Sequence, residues 1–326
     1  MWILPSLLNK HGILGMNRRN VSYISQYNTR SRYPLVDDKL KTKLLAEKFK
    51  LSTPKLRGVI KYQYETAYFP KIVENLQGFA VKPAKGSGGK GILVIKERKN
   101  GLFVKSSGQI ITINDIKRHL SNILAGLYSL AGVPDSVIIE DLIHPSEMFE
   151  KLSYDGVPDI RFIVFKGYPI MAMLRLSTKA SDGKANLHQG AVGVGLDIST
   201  GKGLHAIQHS RRVQKHPDTG LLLNEILVPD WKNLLLLSAK SYEMTKLGYI
   251  GADLVVDKSH GAMLLELNAR PGLSIQAANG AGLLPRLKKI ESIDPDLYFT
   301  PEERIEFSMN TFHSNFNKTP VTIKTA

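Results

Sequence analysis

The sequence contains no cysteine. That absence excludes disulfides, thiolate-bound metals and a cysteine nucleophile together. Nor does any apolar run reach the ~18 residues that a membrane-spanning helix needs. The short apolar stretch Trp2 to Leu8 has no positive charge before it and no small-residue cleavage site after it, so no secretory leader is expected. The expectation is a soluble, cytoplasmic protein in which residues 2–8 could touch a membrane or a partner. Acidic residues are the minority, 29 Asp and Glu against 44 Lys and Arg, for a net charge of +15. The excess favours anionic partners. Yet the basic residues are scattered, with no block of five and no zinc-finger or RNP signature, and nucleic acid is not expected as a partner. Polyphosphate with an acidic substrate accounts for the sign equally well.

With 326 residues, 43% of them hydrophobic, the chain can bury cores for two or three subdomains. Residues 1–34 lack a clear period and read as an arm or irregular cap. Asp37 and Asp38 then stand before "KLKTKLLAEKFKL", where Leu40, Leu44, Leu45 and Phe49 recur at helical spacing. Further helices are expected near 65–76, over 114–132 and over 230–247. Strands are expected at 79–83, 91–96, 135–143, 159–166 and 169–176, with a hairpin over 251–268. Residues 294–326 are polar, are broken by proline and read as a tail. The predicted division is a 1–34 arm, a 35–143 unit, a 144–293 unit and a 294–326 tail.

"VKPAKGSGGKGILV" (81–94) fits G-x-G-x-x-G through Gly86, Gly88 and Gly91. A dinucleotide fingerprint would open a helix, whereas Ile92 to Ile95 reads as a second strand. A Walker A loop fails because Lys90 precedes Gly91. What remains is a cationic turn ringed by Lys82, Lys85 and Lys90. Such a turn can fold over a polyphosphate, or it is a solvated Gly-rich turn.

"GYIGADLVVDKSHGAMLLELNARPG" (248–272) is more informative. If Asp257 faces Ala262, the register sets Asp253 opposite Glu266, and Asn268 shares their face because strand side chains alternate. Two carboxylates and an amide oxygen then converge, and something cationic should lie between them. A hard divalent ion completed by phosphate oxygens and water suits that set. The competing reading is that Arg270 or a nearby lysine simply pairs with Glu266.

Taken together, "DDKLKTKLLAEKFKLSTP", "FAVKPAKGSGGKGI", "VIIEDLI", "PDIRFIVFKGYPIMAMLR", "ANLHQGA" and "GADLVVD…LLELNARPG" resemble the ATP-grasp superfamily, and within it the RimK-type glutamate ligases. The resemblance spans about 35–290. It implies an α+β ATP-grasp fold, two α+β subdomains with ATP between them, and an abbreviated N-terminal domain. By the resemblance, Lys39, Lys82 and the loop Gly86, Ser87, Gly88, Gly89, Lys90, Gly91 would meet the nucleotide phosphates. Glu140 and the backbone of Asp141, Leu142 and Ile143 would grip adenine. Asp253, Glu266 and Asn268 would hold magnesium, two ions by the family pattern, with manganese a possible substitute. Arg161 and Arg175 would hold the substrate carboxylate or the transferring phosphoryl group, Asn186 and His188 would shape the acceptor site, and Arg270 would lie in the same cleft. The implied reaction joins a carboxylate to an amine through an acyl phosphate, on amino-acid or peptide substrates.

Other classes stay in view. A kinase-like phosphotransferase shares the glycine loop but lacks the His-Arg-Asp and Asp-Phe-Gly signatures. A non-catalytic nucleotide-binding module would account for the charge but not for the crowded carboxylates. A zinc enzyme is suggested only by "HAIQH", in which Ala206 stands where the metalloprotease pattern needs Glu.

Overall fold

The structure is a computed structural model that describes residues 5–316 apart from 87, 130, 131 and 315. Trp2, Ile3, Leu4 and Ser87 therefore lie outside the described residues.

Two antiparallel sheets form the frame. The first has the order β1-β6-β2-β3-β4-β5, built from β1 (Leu56–Ile60), β2 (Phe79–Pro83), β3 (Leu93–Lys99), β4 (Leu102–Lys105), β5 (Ile110–Ile111) and β6 (Val137–Glu140). Its strands follow period-2 patterning. Phe79 and Val81 of β2, with Val137 and Ile139 of β6, enter one apolar cluster. Lys82, Ile138 and Glu140 consequently face the other way, toward the cleft. Helix α1 (Lys39–Lys48) precedes this sheet, and helix α2 (Ile113–Leu124) covers its apolar face through Ile116, Leu120 and Ile123. A capping box of Thr112 and Asp115 fixes where α2 starts.

The second sheet has the order β11-β10-β9-β8-β7-β12-β13. Its strands are β7 (Asp159–Phe165), β8 (Tyr168–Leu176), β9 (Val192–Leu196), β10 (Gly203–Gln208), β11 (Arg211–Arg212), β12 (Tyr249–Asp257) and β13 (Gly261–Asn268). Helix α3 (Trp231–Thr245), with Leu234, Leu235 and Ala239 fully buried, packs beneath it. Helices α4 (Ser274–Asn279) and α5 (Leu284–Glu291) follow the sheet, and α4 lies on β8, β9 and β10.

Three further segments join the body of the second sheet. Helix α1, expected with the first unit, contributes Ala46, with its neighbours Val36 and Leu51, to the core of the second sheet. The arm forms short helical turns joined by irregular backbone, and its Leu14, Tyr23, Ile24 and Asn28 are buried against the same body. The segment read as a tail contains helix α6 (Pro301–Thr311), which packs on α3 and β8. There Arg304 is 3% exposed and pairs with Glu243, while the buried Phe312 ring lies under the Arg286 guanidinium at 5.7 Å. The polar composition of this stretch hid a few buried anchors. Among the described residues, no helix is long and apolar enough to cross a membrane.

If Phe312 is a core residue, Phe312→Ala should cost about 3 kcal/mol or more by urea denaturation. A change below about 0.5 kcal/mol is what a solvated tail would give.

Candidate functional site

The glycine turn sits between β2 and β3, and its residues have local reasons to be glycine. Gly88, Gly89 and Gly91 have φ of +63°, +75° and +76°, a region that disfavours side chains. At Gly91 a Cβ would also lie 2.5 Å from the Tyr128 ring. His119, lowered in pKa mainly by burial, bonds the Gly91 carbonyl at 2.9 Å. One end of the turn is therefore anchored on α2, while a Cβ at Gly88 or Gly89 would meet nothing within 4 Å. At the other end Lys39 Nζ donates to Gly86 O at 2.6 Å and stands 3.6 Å from Glu266 Oε1, bridging the turn to the hairpin.

Between the sheets lies a cleft of about 100 Å³ lined by Lys39, Lys43, Lys82, Glu140, Leu264 and Glu266 among others. That is well below the ~300–1,000 Å³ usual for ligand sites. Side chains close it. Lys82 pairs with Glu140, and Lys43 Nζ lies 2.9 Å from the other Glu140 oxygen. Burial alone would raise the Glu140 pKa; the two ammonium groups outweigh burial and hold the carboxyl below its usual range. Burial pulls Lys43 down, with Glu140 opposing it. Lys43 escaped the sequence reading. Its signal was its place one turn after Lys39, on the same helical face.

The segment expected to grip adenine is partly committed elsewhere. Asp141 N–H donates to Lys55 O at 3.0 Å, and its carboxylate takes a two-pronged bond from Arg57 at 2.5 and 2.8 Å. Past Leu142 and Ile143, His144 N donates to Asp257 Oδ2 at 2.8 Å, which ties this segment to the hairpin.

In the hairpin, Asp253 does pair with Glu266 and Gly251 with Asn268, but the turn is registered one residue differently from the expectation: Asp257 faces Gly261, not Ala262. A bulge between the Leu254 and Asp253 pairs absorbs the difference and restores the carboxylate alignment. The two carboxylates meet separate protein cations, Asp253 the arginines of the neighbouring strands and Glu266 the Lys39 ammonium. Arg161 Nε and Nη2 donate to the two Asp253 oxygens at 2.7 and 2.5 Å, and Arg175 Nη2 donates to Oδ2 at 2.8 Å. Arg175 also pairs with Asp159, a residue the sequence reading did not single out although it shares the face of Arg161 two residues on. These four charges are neutral in sum and largely withdrawn from water. Asp253, which burial would raise, is held down at about 2 by Arg161 and Arg175. Asp159 is pushed up to about 6 by burial and by the Asp253 charge, which Arg175 only partly offsets.

Glu266 lines the cleft, and Asn268 follows it two residues on along the same face of β13, so both offer hard oxygens. Their donor set fits magnesium, which takes one or two carboxylates together with phosphate oxygens. Asp253 stands behind them with both oxygens engaged. Among the described residues, no group of three His, Asp or Glu is arranged to hold a metal by itself. The other predicted residues are dispersed. Asn186 Oδ1 accepts from His188 N at 3.0 Å and caps its own turn, His188 is exposed, and Arg270 stacks on Tyr33 at 4.8 Å.

Two antiparallel sheets enclosing a lysine-lined cleft, with a glycine turn over one side and an acidic hairpin on the other, define an ATP-grasp fold. Residues 18–292 match the model of the sugar-transfer associated ATP-grasp family, and the chain belongs to that family. Among solved structures it is similar to a D-alanine–D-alanine ligase from Bacillus anthracis (14% identity, 87% of this chain and 69% of that one, TM-score 0.42). It is also similar to the ATP-grasp ligase PsnB complexed with a minimal precursor (14%, 82% and 63%, 0.44). D-alanyl-alanine synthetase A from Vibrio cholerae gives 11%, 87% and 68%, with a TM-score of 0.46. Likeness at this level carries nothing about substrate. Comparison with curated proteins gives no match.

The charge cluster predicts a pH signature. A folded Asp159 near pH 6 binds more protons than the unfolded chain, whose Asp titrates near ~3.9. Its contribution to stability therefore falls as pH rises from about 4 to 6. Urea denaturation across that range should show a shallower decline for Asp159→Asn than for the wild type; parallel curves would contradict the assignment.

Proposed function

We propose that this chain is an ATP- and magnesium-dependent ligase that joins a carboxylate to an amine through an acyl phosphate. The observation that carries the proposal is the cleft: Lys39, Lys43 and Lys82 line it with two carboxylates, Glu140 and Glu266, and Glu266 lies opposite Asp253, the partner of Arg161 and Arg175, in the hairpin ladder. A triphosphate would draw the lysines away from Glu140. An acceptor-only carboxylate would then take a donor from the nucleotide, an adenine amino group or a ribose hydroxyl. Leu142 and Ile143 would supply the backbone contacts to adenine.

A carboxylate is a poor electrophile because its charge repels an incoming amine and oxide is a poor leaving group. Its oxygen attacks the γ-phosphorus, the bond to ADP breaks, and a mixed anhydride forms. The amine then attacks the carbonyl carbon and inorganic phosphate leaves. Positioning and charge neutralisation supply most of the catalysis in such transfers. Lys39, Lys43, Lys82 and Lys90 would face the phosphates, and Arg161 or Arg175 would align the carboxylate by turning from Asp253. Magnesium bound at Glu266 and Asn268 would neutralise phosphate oxygens, and manganese suits the same oxygens.

Amino acids and peptides are the substrates to try, with glutamate one among them because the quoted motifs resemble RimK-type ligases. The family description brings a sugar-linked carboxylate or amine into the same range. Asn186 and His188 are assigned to the acceptor side, and Arg270 to the cleft mouth.

Glu266→Gln should leave the thermal midpoint nearly unchanged and lower magnesium-dependent ADP release by roughly 100-fold; near-normal turnover at the usual magnesium concentration removes this site from the mechanism. With the correct acid and ATP, hydroxylamine should trap a hydroxamate alongside ADP and phosphate. AMP with pyrophosphate would mark an adenylating enzyme instead, and a phosphorylated hydroxyl product would mark a kinase.

A further inference from the structure

We infer that Asn28 is a positioning residue for the segment Asn268 to Pro271, and that the N-terminal arm fixes the end of the hairpin that follows Glu266. The geometric part stands by itself. Its consequence rests on the proposed role of Glu266 and Asn268.

The ladder between β12 and β13 ends at the pair Gly251 and Asn268. Beyond it the strands part, and Tyr249 continues alongside Phe165 of β7. Asn28 leaves a short helical turn, Ser25–Tyr27, with extended backbone (φ −116°, ψ 106°), and its amide enters the gap. Nδ2 donates to Tyr249 O at 2.7 Å and to Ala269 O at 3.2 Å, while Oδ1 accepts from Tyr249 N at 2.8 Å. One side chain thus behaves as an added peptide group, satisfying both backbone groups of Tyr249 and tying them to the residue after Asn268. At 3% exposure the three bonds are shielded from water, and leaving such groups unpaired is costly.

The next two residues are also held by the arm. The Arg270 guanidinium lies 4.8 Å over the Tyr33 ring, and Arg19 Nη1 donates to Pro271 O at 2.8 Å. Ala269, Arg270 and Pro271 are therefore each gripped by a different arm residue. Further on, Leu14 and Gln276 exchange hydrogen bonds, Leu14 N to Oε1 at 2.8 Å and Nε2 to Leu14 O at 3.0 Å. Asn268 is constrained by the ladder on one side and by the arm on the other. Groups that orient metal ligands from behind affect metal affinity by roughly 10–100-fold.

The test compares wild type with Asn28→Asp, which keeps the shape but turns an oxygen toward two carbonyls, and with Asn28→Ala. Arg19→Ala, which removes the Pro271 bond along with local bonds to the exposed Asn20 side chain, serves if either variant fails to fold, and the exposed Arg30→Ala is the control. Hydrogen exchange over 268–272 should rise at least tenfold in the Asn28 variants, and to a smaller degree in Arg19→Ala, with β8 and β9 unchanged. In a magnesium titration of ATP binding by calorimetry, the midpoint should move roughly tenfold upward, while ATP binding without magnesium stays the same. Unchanged exchange over 268–272 overturns the inference. Faster exchange there with an unmoved magnesium midpoint reduces Asn28 to packing and overturns it as a positioning residue. If wild-type ATP binding shows no magnesium dependence, the proposed metal site is what fails, and the exchange result alone upholds or overturns the hold of Asn28 on the segment.

Discussion

The second sheet is organised around a carboxylate that is 2% exposed and bonded by two guanidinium groups. Asp253 lies on β12, Arg161 on β7 and Arg175 on β8, so the three strands are joined by side chains as well as by their ladders. An isolated charge at that depth would be prohibitive. Pairing two arginines with Asp253 and Asp159 balances the cluster, and the two acids respond oppositely, one driven far below and the other well above the ordinary range. The same constraint ties architecture to chemistry, because groups suited to orient an anion are used by the structure to neutralise an internal acid.

The cleft repeats this arrangement around Glu140. Glu140 holds Lys82 and Lys43, so lysines from β2 and α1 meet across one carboxylate of β6. Lys39 in turn connects the glycine turn to Glu266. The first sheet, the second sheet and α1 are thereby linked through charges that a polyphosphate would compete for. The +15 net charge acquires a local meaning here.

Much of this was readable from residue order. The β-branched run after Gly91 marked the glycine stretch as a turn between two strands, and the spacing of Asp253, Glu266 and Asn268 placed three oxygens on one face. The partners were less readable, since Arg161 and Arg175 are distant from Asp253 in sequence and nothing local says whether a guanidinium points at a substrate or at an acid. Lys43 looked like one more lysine on a polar helix. The arm and the 301–311 helix were hidden for a related reason: their buried residues are few, and a segment that docks on an existing core needs only a few anchors, too few to establish a period.

The bulge in β13 separates two parts of the hairpin that would otherwise move together. In a regular ladder, each change in the length of the turn at Lys258 to His260 would propagate along the strand and, by one step, exchange its two faces. The extra residue near Leu265 acts as a phase shift. The tip follows one frame and the acidic end another, so the alignment of Asp253 with Glu266 is set on the side of the sheet rather than by the loop. The tip is thus a place where length and composition can drift between related chains while the spacing of the oxygens is kept.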